Sequence, residues 1–440
     1  MNRGRKQTLF RPLSLTIIFA LVVVLAACGS AGGPDSDPGP GSCTHTFSGD
    51  VISRVVLAPT GAECDYLLTG TVRVSSDLVV QAGTRVRAAE GAVVIVEDGG
   101  SIQAQGTAEQ RIEFVGAKAA LGSWYGFCFG IGHRESWFDH VDVYWAGGVF
   151  TPASTSCRAA IGAFITRGAP VHITNSVIVG SNTSGVDATE FTLGEFRNNL
   201  LAGHVEYGLR VAPGNVSSLD ASSIYGAVEV QYPDGSSAAN GQPYVFLSSG
   251  TQNNTDGVQV WRPLDVPYYA TRDEFPYNTT ALFFEDGTET VIAAGTEIVM
   301  ADGGLWIVEE GALLRLIGTP EEPVTLTGEG ELPGAWEGIW MHGGGLLAEH
   351  AVIAYAGDDS GLITEGGVTF AHVGLPSHCS HLRDVTILGS ASNGVSVDEY
   401  TEPYVRLESM TYTDVALAGQ VGNPHGPAIL AGVNCSEAGA

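Results

Sequence analysis

The chain has 440 residues, including 59 Gly and 20 Pro, and carries 48 Asp and Glu against 20 Lys and Arg, a formal net charge of −28. This acidic excess excludes nucleic acid and anionic lipid surfaces as ligands of the folded part, because both repel a negatively charged surface. Short apolar alternations cut by Gly and Thr, with no sustained 3.6-residue period after residue 30, predict an almost entirely β fold.

The N-terminal residues 1–27 combine a basic start, an apolar run and two small residues directly before Cys28. This pattern is typical of an export signal, and the position of the cysteine resembles a bacterial lipoprotein signal; an ordinary signal with a chance cysteine is the alternative. The resemblance implies that Cys28 is the acylated first residue and that the membrane partner is the outer membrane, on its periplasmic or cell-surface side. Residues 28–42, which are Gly, Ser, Pro and Asp-rich, are expected to form a flexible tether. Loss of residues 1–27 removes four basic and no acidic residues, leaving a net charge of −32.

The remaining chain contains two copies of one sequence, expected at 43–231 and 266–440 with a turn-rich connecting segment at 232–265. Gly83 recurs 212 residues later as Gly295, as does Trp124 as Trp336, whereas other equivalents are offset by 210 or 209. A small drift in offset indicates loop deletions on a retained scaffold, so the repeat itself predicts a fold built of stacked units.

The segments that carry a family resemblance are Leu78–Val86 and Gly100–Phe114 in the first copy and Gly318–Leu326 in the second. They resemble the coils of bacterial right-handed parallel β-helix repeat proteins with the pectate-lyase-like fold, over residues 64–225 and 266–421. The resemblance implies an all-β solenoid of two tandem modules. It implies no particular activity, because lyases, hydrolases, adhesins and inert spacers share this scaffold.

Six cysteines remain after Cys28, an even number that in an exported chain predicts disulfides with fifteen possible pairings. The simplest pairing joins nearest neighbours, with buried free thiols as the alternative. The candidate pairs are Cys43 with Cys64, Cys128 with Cys157, and Cys379 with Cys435.

Two groups of histidines are candidates for chemistry. His140 and His350 recur at equivalent places, each directly after a carboxylate, which fits either a site or a residue that the coil itself needs. The second group, with Cys379, has the residue types of a zinc site but no motif spacing, so no metal is predicted. Its weak candidate ligands are His372, His378 and His381.

Catalytic candidates are sparse. Paired carboxylates could hydrolyse a polysaccharide, and Asp358 with Asp359 forms such a pair, although a solvated turn is the simpler interpretation. A calcium-dependent lyase would need a basic residue near the ion, for which Arg383 is a weak candidate. We therefore expect a non-catalytic, surface-associated lipoprotein that interacts with a polysaccharide or another envelope partner, with no cofactor except possible Ca²⁺. The alternative is a polysaccharide lyase or glycoside hydrolase on the same scaffold.

Overall fold

The computed structural model describes residues 43–150, 157–164, 168–226, 228–232, 237–252, 257–270, 281–357, 366–370, 378–397 and 405–415. Within these ranges the regular secondary structure is almost entirely short parallel strands joined by turns, as the alternating sequence predicts. The helical pieces there are two 3-10 turns, Pro213–Ser218 and Glu329–Glu331. None of the helices in the described ranges is long and apolar enough to span a membrane.

Three sheets form the first part of the structure. Sheet A consists of β1 His45–Phe47, β3 Tyr66–Leu68, β6 Arg85–Ala88, β9 Ile112–Gly116, β12 Val141–Tyr144, β15 Val177–Val179 and β18 Leu200–Ala202. Sheet C consists of β2 Val55–Leu57, β5 Asp77–Gln81, β8 Ser101–Gln105, β11 Ser136–Asp139, β14 Val171–Thr174 and β17 Leu193–Arg197.

Sheet B runs through both sequence copies. Its thirteen strands are β4 Thr71–Val74, β7 Val93–Val96, β10 Gly126–Phe129, β13 Ala159–Ala163, β16 Ser184–Ala188, β19 Leu209–Val211, β22 Val245–Leu247, β25 Tyr268–Ala270, β28 Glu297–Met300, β31 Val324–Gly328, β34 Ala351–Ala354, β37 Thr386–Leu388 and β40 Thr411–Thr413.

Two further sheets flank sheet B in the second part. Sheet D consists of β23 Gly250–Gln252, β26 Ala281–Phe284, β29 Leu305–Glu309, β32 Gly338–His342, β35 Gly366–Phe370 and β38 Asn393–Val397. Sheet E consists of β24 Val258–Trp261, β27 Glu289–Ala293, β30 Leu313–Ile317, β33 Gly345–Glu349, β36 Ser380–Arg383 and β39 Val405–Glu408. A short antiparallel pair, β20 Val230–Gln231 and β21 Ser237–Ala238, lies at the junction.

Each strand of these parallel sheets pairs mainly with the strand three places along the chain, so three successive strands make one coil and the next coil stacks on it. Apolar side chains of every coil enter one shared core, while alternate residues point outward, as the period of two requires. Trp124 and its equivalent Trp336 are fully buried in this core. Their indole N–H groups donate to the carbonyls of Tyr144 and Ala354, at 3.0 and 2.8 Å, which satisfies the buried polar atom in both copies.

Equivalent strands of the two copies belong to different sheets, so each face of the first copy corresponds to the next face around the coil in the second. β9 lies in sheet A, yet its sequence equivalent β31 lies in sheet B, and β10 of sheet B is equivalent to β32 of sheet D. Residues 232–265, expected only to connect the copies, contain β22, β23 and β24, each of which belongs to one of the sheets.

His140 and His350 occupy the turn that leaves sheet C or sheet E. Both have a positive φ, 52° and 48°, and the same turn on neighbouring coils holds Asn175, Asn198 and Asp384, also with positive φ. Histidine, asparagine and aspartate tolerate this left-handed conformation better than most residues. The recurrence of the two histidines therefore reflects the needs of the coil.

Disulfides join Cys43 to Cys64 and Cys128 to Cys157, two of the three nearest-neighbour pairs. Cys379 is disulfide-bonded as well, whereas Cys435 lies outside the described residues. The Cys128–Cys157 bridge belongs to a small apolar cluster on the outer side of sheet B. In the second copy, Trp340 takes the place equivalent to Cys128, in a matching cluster outside sheet D.

Candidate ligand-binding groove

The outer side of sheet C carries one continuous row of side chains in register. Val56, Val79, Gln103, Trp137 and His172 lie opposite one another on successive strands from β2 to β14. Strand alternation explains this arrangement, since Phe138, the neighbour of Trp137, is buried in the core and Trp137 must then point outward.

Trp137 and His172 stack face to face. Their ring centroids are 3.7 Å apart and the planes differ by 1°. The His172 Nδ1 atom accepts the backbone N–H of Glu195 at 2.9 Å, so a neutral ring carries its proton on Nε2, which lies 2.9 Å from a Glu135 carboxylate oxygen. Two hydrogen bonds and the stack hold the imidazole in one orientation, and it supports the half-buried indole from the next strand.

A groove of about 480 Å³ lies beside this stack. Its walls come from four successive coils and are formed by Arg54, Asp77, Val79, Ser101, Gln103, Arg134 and Glu135. Four of these seven side chains are charged, Ser101 and Gln103 are polar and Val79 is apolar, so the groove suits a ligand with several hydrogen-bonding groups.

Two charged groups of the groove, Arg134 and Asp77, hold each other in place. Arg134 forms an ion pair with Asp77, and its Nε donates to the carbonyl of Gly99 at 2.5 Å. The Ser101 hydroxyl donates to the same Asp77 oxygen at 2.8 Å. This hydrogen bond from Ser101, together with the hydrogen bond and charge of Arg134, lowers the pKa of Asp77, so the groove holds a carboxylate and not a proton donor at neutral pH.

The axis of the groove follows the stacking direction of the coils. Neighbouring parallel strands lie about 4.8 Å apart, which is close to the length of one pyranose residue in an extended chain. Side chains on successive coils can therefore contact successive sugars, with hydrogen bonds from Gln103 and Arg134 to hydroxyl groups and the part of the Trp137 indole not covered by His172 against an apolar sugar surface.

The second copy has an equivalent row on sheet E without the tryptophan. Val291, Arg315, Leu347 and His381 lie in register, with Leu347 at the place of Trp137 and His381 at the place of His172. The Nε2 atom of His381 lies 3.1 Å from a Glu408 oxygen. The histidine is thus common to both copies, and the aromatic surface belongs to the first.

The sequence candidates lie elsewhere. Arg383 is on the outer side of sheet E and pairs with Glu349, and Cys379 is removed from zinc chemistry by its disulfide. In the described ranges, which include His378 and His381, no three His, Cys, Asp or Glu side chains are grouped to hold a metal ion. Cys28, Asp358, Asp359 and His372 lie outside the described residues, whereas His378 directly precedes Cys379.

Sequence reasoning missed Trp137, His172 and Glu135. The available signal was the alternation around Phe138 and the difference between Trp137 and Leu347 in otherwise matching segments. Comparisons of the chain with known protein families, curated proteins and solved structures found no match, so the groove has to be interpreted from its own chemistry.

Proposed function

We propose that the protein is a membrane-anchored glycan-binding lipoprotein whose stacked coils form a right-handed parallel β-helix with two tandem modules. Cys28 anchors it to the outer membrane, residues 28–42 act as the tether, and the groove on sheet C binds polysaccharide without cleaving it. The observation that carries the proposal is the Trp137–His172 stack beside a groove whose spacing follows the coils.

Three features support binding in preference to catalysis. Asp77 is held as a carboxylate by Ser101 and Arg134, which disfavours its use as a general acid. His172 stacks on the Trp137 indole and holds it in one orientation, so the Trp137 side chain loses less conformational entropy when a ligand binds. The groove is lined by residues of four successive coils, so an extended chain lying along the coils can contact several of them at once.

The chemical class of ligand follows from charge. A net charge of −28 disfavours polyuronates and other polyanions. Within the groove, Arg134 and Arg54 face Asp77 and Glu135, so positive and negative groups are balanced. A neutral polysaccharide, rich in hydroxyl groups and lacking carboxylates, fits this surface best.

A glycan array probed with the fragment from Ser42 onward, with and without millimolar calcium, tests the proposal. We expect retention of neutral polysaccharides at both calcium levels and no release of reducing ends or unsaturated uronates over hours. Cleavage of any retained glycan would favour the alternative, a lyase or hydrolase. Retention of polyuronates alone, dependent on calcium, would contradict a neutral polysaccharide as the ligand class.

A further inference from the structure

A second cluster of rings lies on sheet B, where this sheet passes from one copy to the next. Arg210, Phe246 and Tyr269 are in register on β19, β22 and β25 and point outward. Tyr244 directly precedes β22, and Tyr207 lies two residues before the start of β19. The rings form two contacting pairs, Tyr207 with Phe246 at 5.2 Å and Tyr244 with Tyr269 at 5.4 Å between centroids.

One cation already lies on these rings. The guanidinium of Arg210 is 3.8 Å from the centroid of Phe246 and 5.9 Å from that of Tyr207, with Asp187 as its counterion at 3.3 Å. Cations are attracted to ring faces by the ring quadrupole. The arrangement shows that this patch favours positive charge, and that Arg210 is committed to Phe246 and Asp187.

Tyr269 contacts a carboxylate, whereas Phe246 contacts the cation of Arg210. Glu329, which is exposed, accepts a hydrogen bond from the Tyr269 hydroxyl at 2.7 Å. Burial raises the pKa of Tyr269, and the hydrogen bond to Glu329 adds to the rise. Tyr207 contacts Phe246 and Tyr244 contacts Tyr269, so the three tyrosines lie on successive coils beside this carboxylate. Within the described ranges no Lys, Arg or His forms an ion pair with Glu329.

We propose that Tyr207, Tyr244, Tyr269 and Glu329 form a binding site for an organic ammonium group. Three half-buried phenol rings offer faces and edges to the alkyl groups around the nitrogen, and the unpaired carboxylate supplies the opposite charge. A quaternary ammonium group suits the site better than a metal ion, because the site offers one carboxylate and three rings, whereas a metal ion would need several oxygen ligands. The site is on a different sheet from the groove and does not depend on it.

The test is calorimetric titration of the full chain, in a non-ionic detergent that lacks ammonium groups, with choline and with its uncharged carbon isostere dimethylbutanol. We expect choline to bind at least about tenfold more tightly than the isostere, which corresponds to about 1.4 kcal/mol. Glu329→Gln should weaken choline binding about tenfold and remove most of this preference. The matched control, Glu90→Gln, changes an exposed carboxylate on a distant turn and should bind choline like the unaltered chain.

Equal affinity for choline and dimethylbutanol, or no binding of either, would overturn the proposal. The rings would then serve only to cover the outer side of sheet B. Unchanged choline binding in Glu329→Gln would do the same. Tyr269→Phe, which keeps the ring and removes the hydrogen bond to Glu329, guards against a folding defect, and should retain the preference for charge. Trp137→Leu should leave choline binding unchanged, so failure of the ammonium site is distinguishable from failure of the glycan-binding proposal.

Discussion

Gly180 and its equivalent Gly389 provide a strong test of how the coils pack. Both occupy the turn between two strands with positive φ, +79° and +63°. A Cβ added to Gly180 would lie 2.7 Å from the Cε3 atom of Trp145, and one added to Gly389 would lie 2.7 Å from the Cδ1 atom of Tyr355. Trp145 and Tyr355 are themselves equivalent, so the same ring-over-glycine contact was retained in both copies.

The expected cost of Gly180→Ala has two parts. The left-handed backbone costs an L-residue about 1 to 2 kcal/mol, and displacing a packed ring by several tenths of an ångström costs about 1 to 3 kcal/mol more. We therefore expect the free energy of unfolding to fall by about 2 to 5 kcal/mol. Gly83→Ala is the matched control, since its φ is +80° but the nearest atom to its added Cβ, on Gln110, is at 3.7 Å. Gly83→Ala should lower the free energy of unfolding only by the backbone contribution of about 1 to 2 kcal/mol.

Urea unfolding of both variants measures the difference, with the midpoint compared at constant slope. A double-mutant cycle with Trp145→Ala isolates the ring contact, because removing the ring should relieve part of the damage caused by Gly180→Ala. Equal losses in Gly180→Ala and Gly83→Ala, or strict additivity with Trp145→Ala, would refute the contact as the cause.

Three further predictions concern a buried histidine, a disulfide and the anchor. Burial lowers the pKa of His204 from 6.5 to about 3, so between these pH values the unfolded chain binds a proton that the folded chain does not. The free energy of unfolding should therefore decrease as the pH falls from 6.5 to 3. His204→Gln should reduce this slope by about 1.4 kcal/mol per pH unit, measured by urea unfolding. Replacing Cys128 and Cys157 together by Ala should lower stability by about 2 to 4 kcal/mol, seen as a lower melting temperature and a smaller further decrease when reductant is added, because the other disulfides remain. Cys28→Ser should leave folding intact and release the protein from carbonate-washed membranes, whereas continued sedimentation would show another anchor.

Much of the architecture could be predicted from the sequence, because each coil needs the same types of residue at the same places. The short apolar run Val93 to Val96 and the doubled Gly83 and Trp124 indicated stacked β units, and the strand pairing shows parallel strands stacked through both copies. The turn role of His140 was also predictable, since a residue needed by the backbone must recur.

The groove and the junction could not be predicted in the same way. Trp137 meets His172 because β11 and β14 pair in one register, and that register depends on how the long stretch between them closes. The change of sheet between the copies coincides with an irregular coil. There Asn215, in the 3-10 turn, accepts the N–H of Leu193 and donates to the carbonyl of Ala188. Such tertiary hydrogen bonds leave little periodic trace in a sequence.

Calorimetry with a neutral oligosaccharide retained on the array tests the central claim most directly, using two tryptophan variants. Trp137→Leu introduces the residue that the second copy has at the equivalent place, and Trp340→Leu makes the same change on the outer side of sheet D. Loss of a stacked ring should weaken binding by about 1 to 2 kcal/mol, or about five- to thirtyfold, in Trp137→Leu. Trp340→Leu should bind like the unaltered protein. Unchanged affinity in Trp137→Leu, or equal loss in both variants, would contradict the assignment of the groove on sheet C as the glycan site.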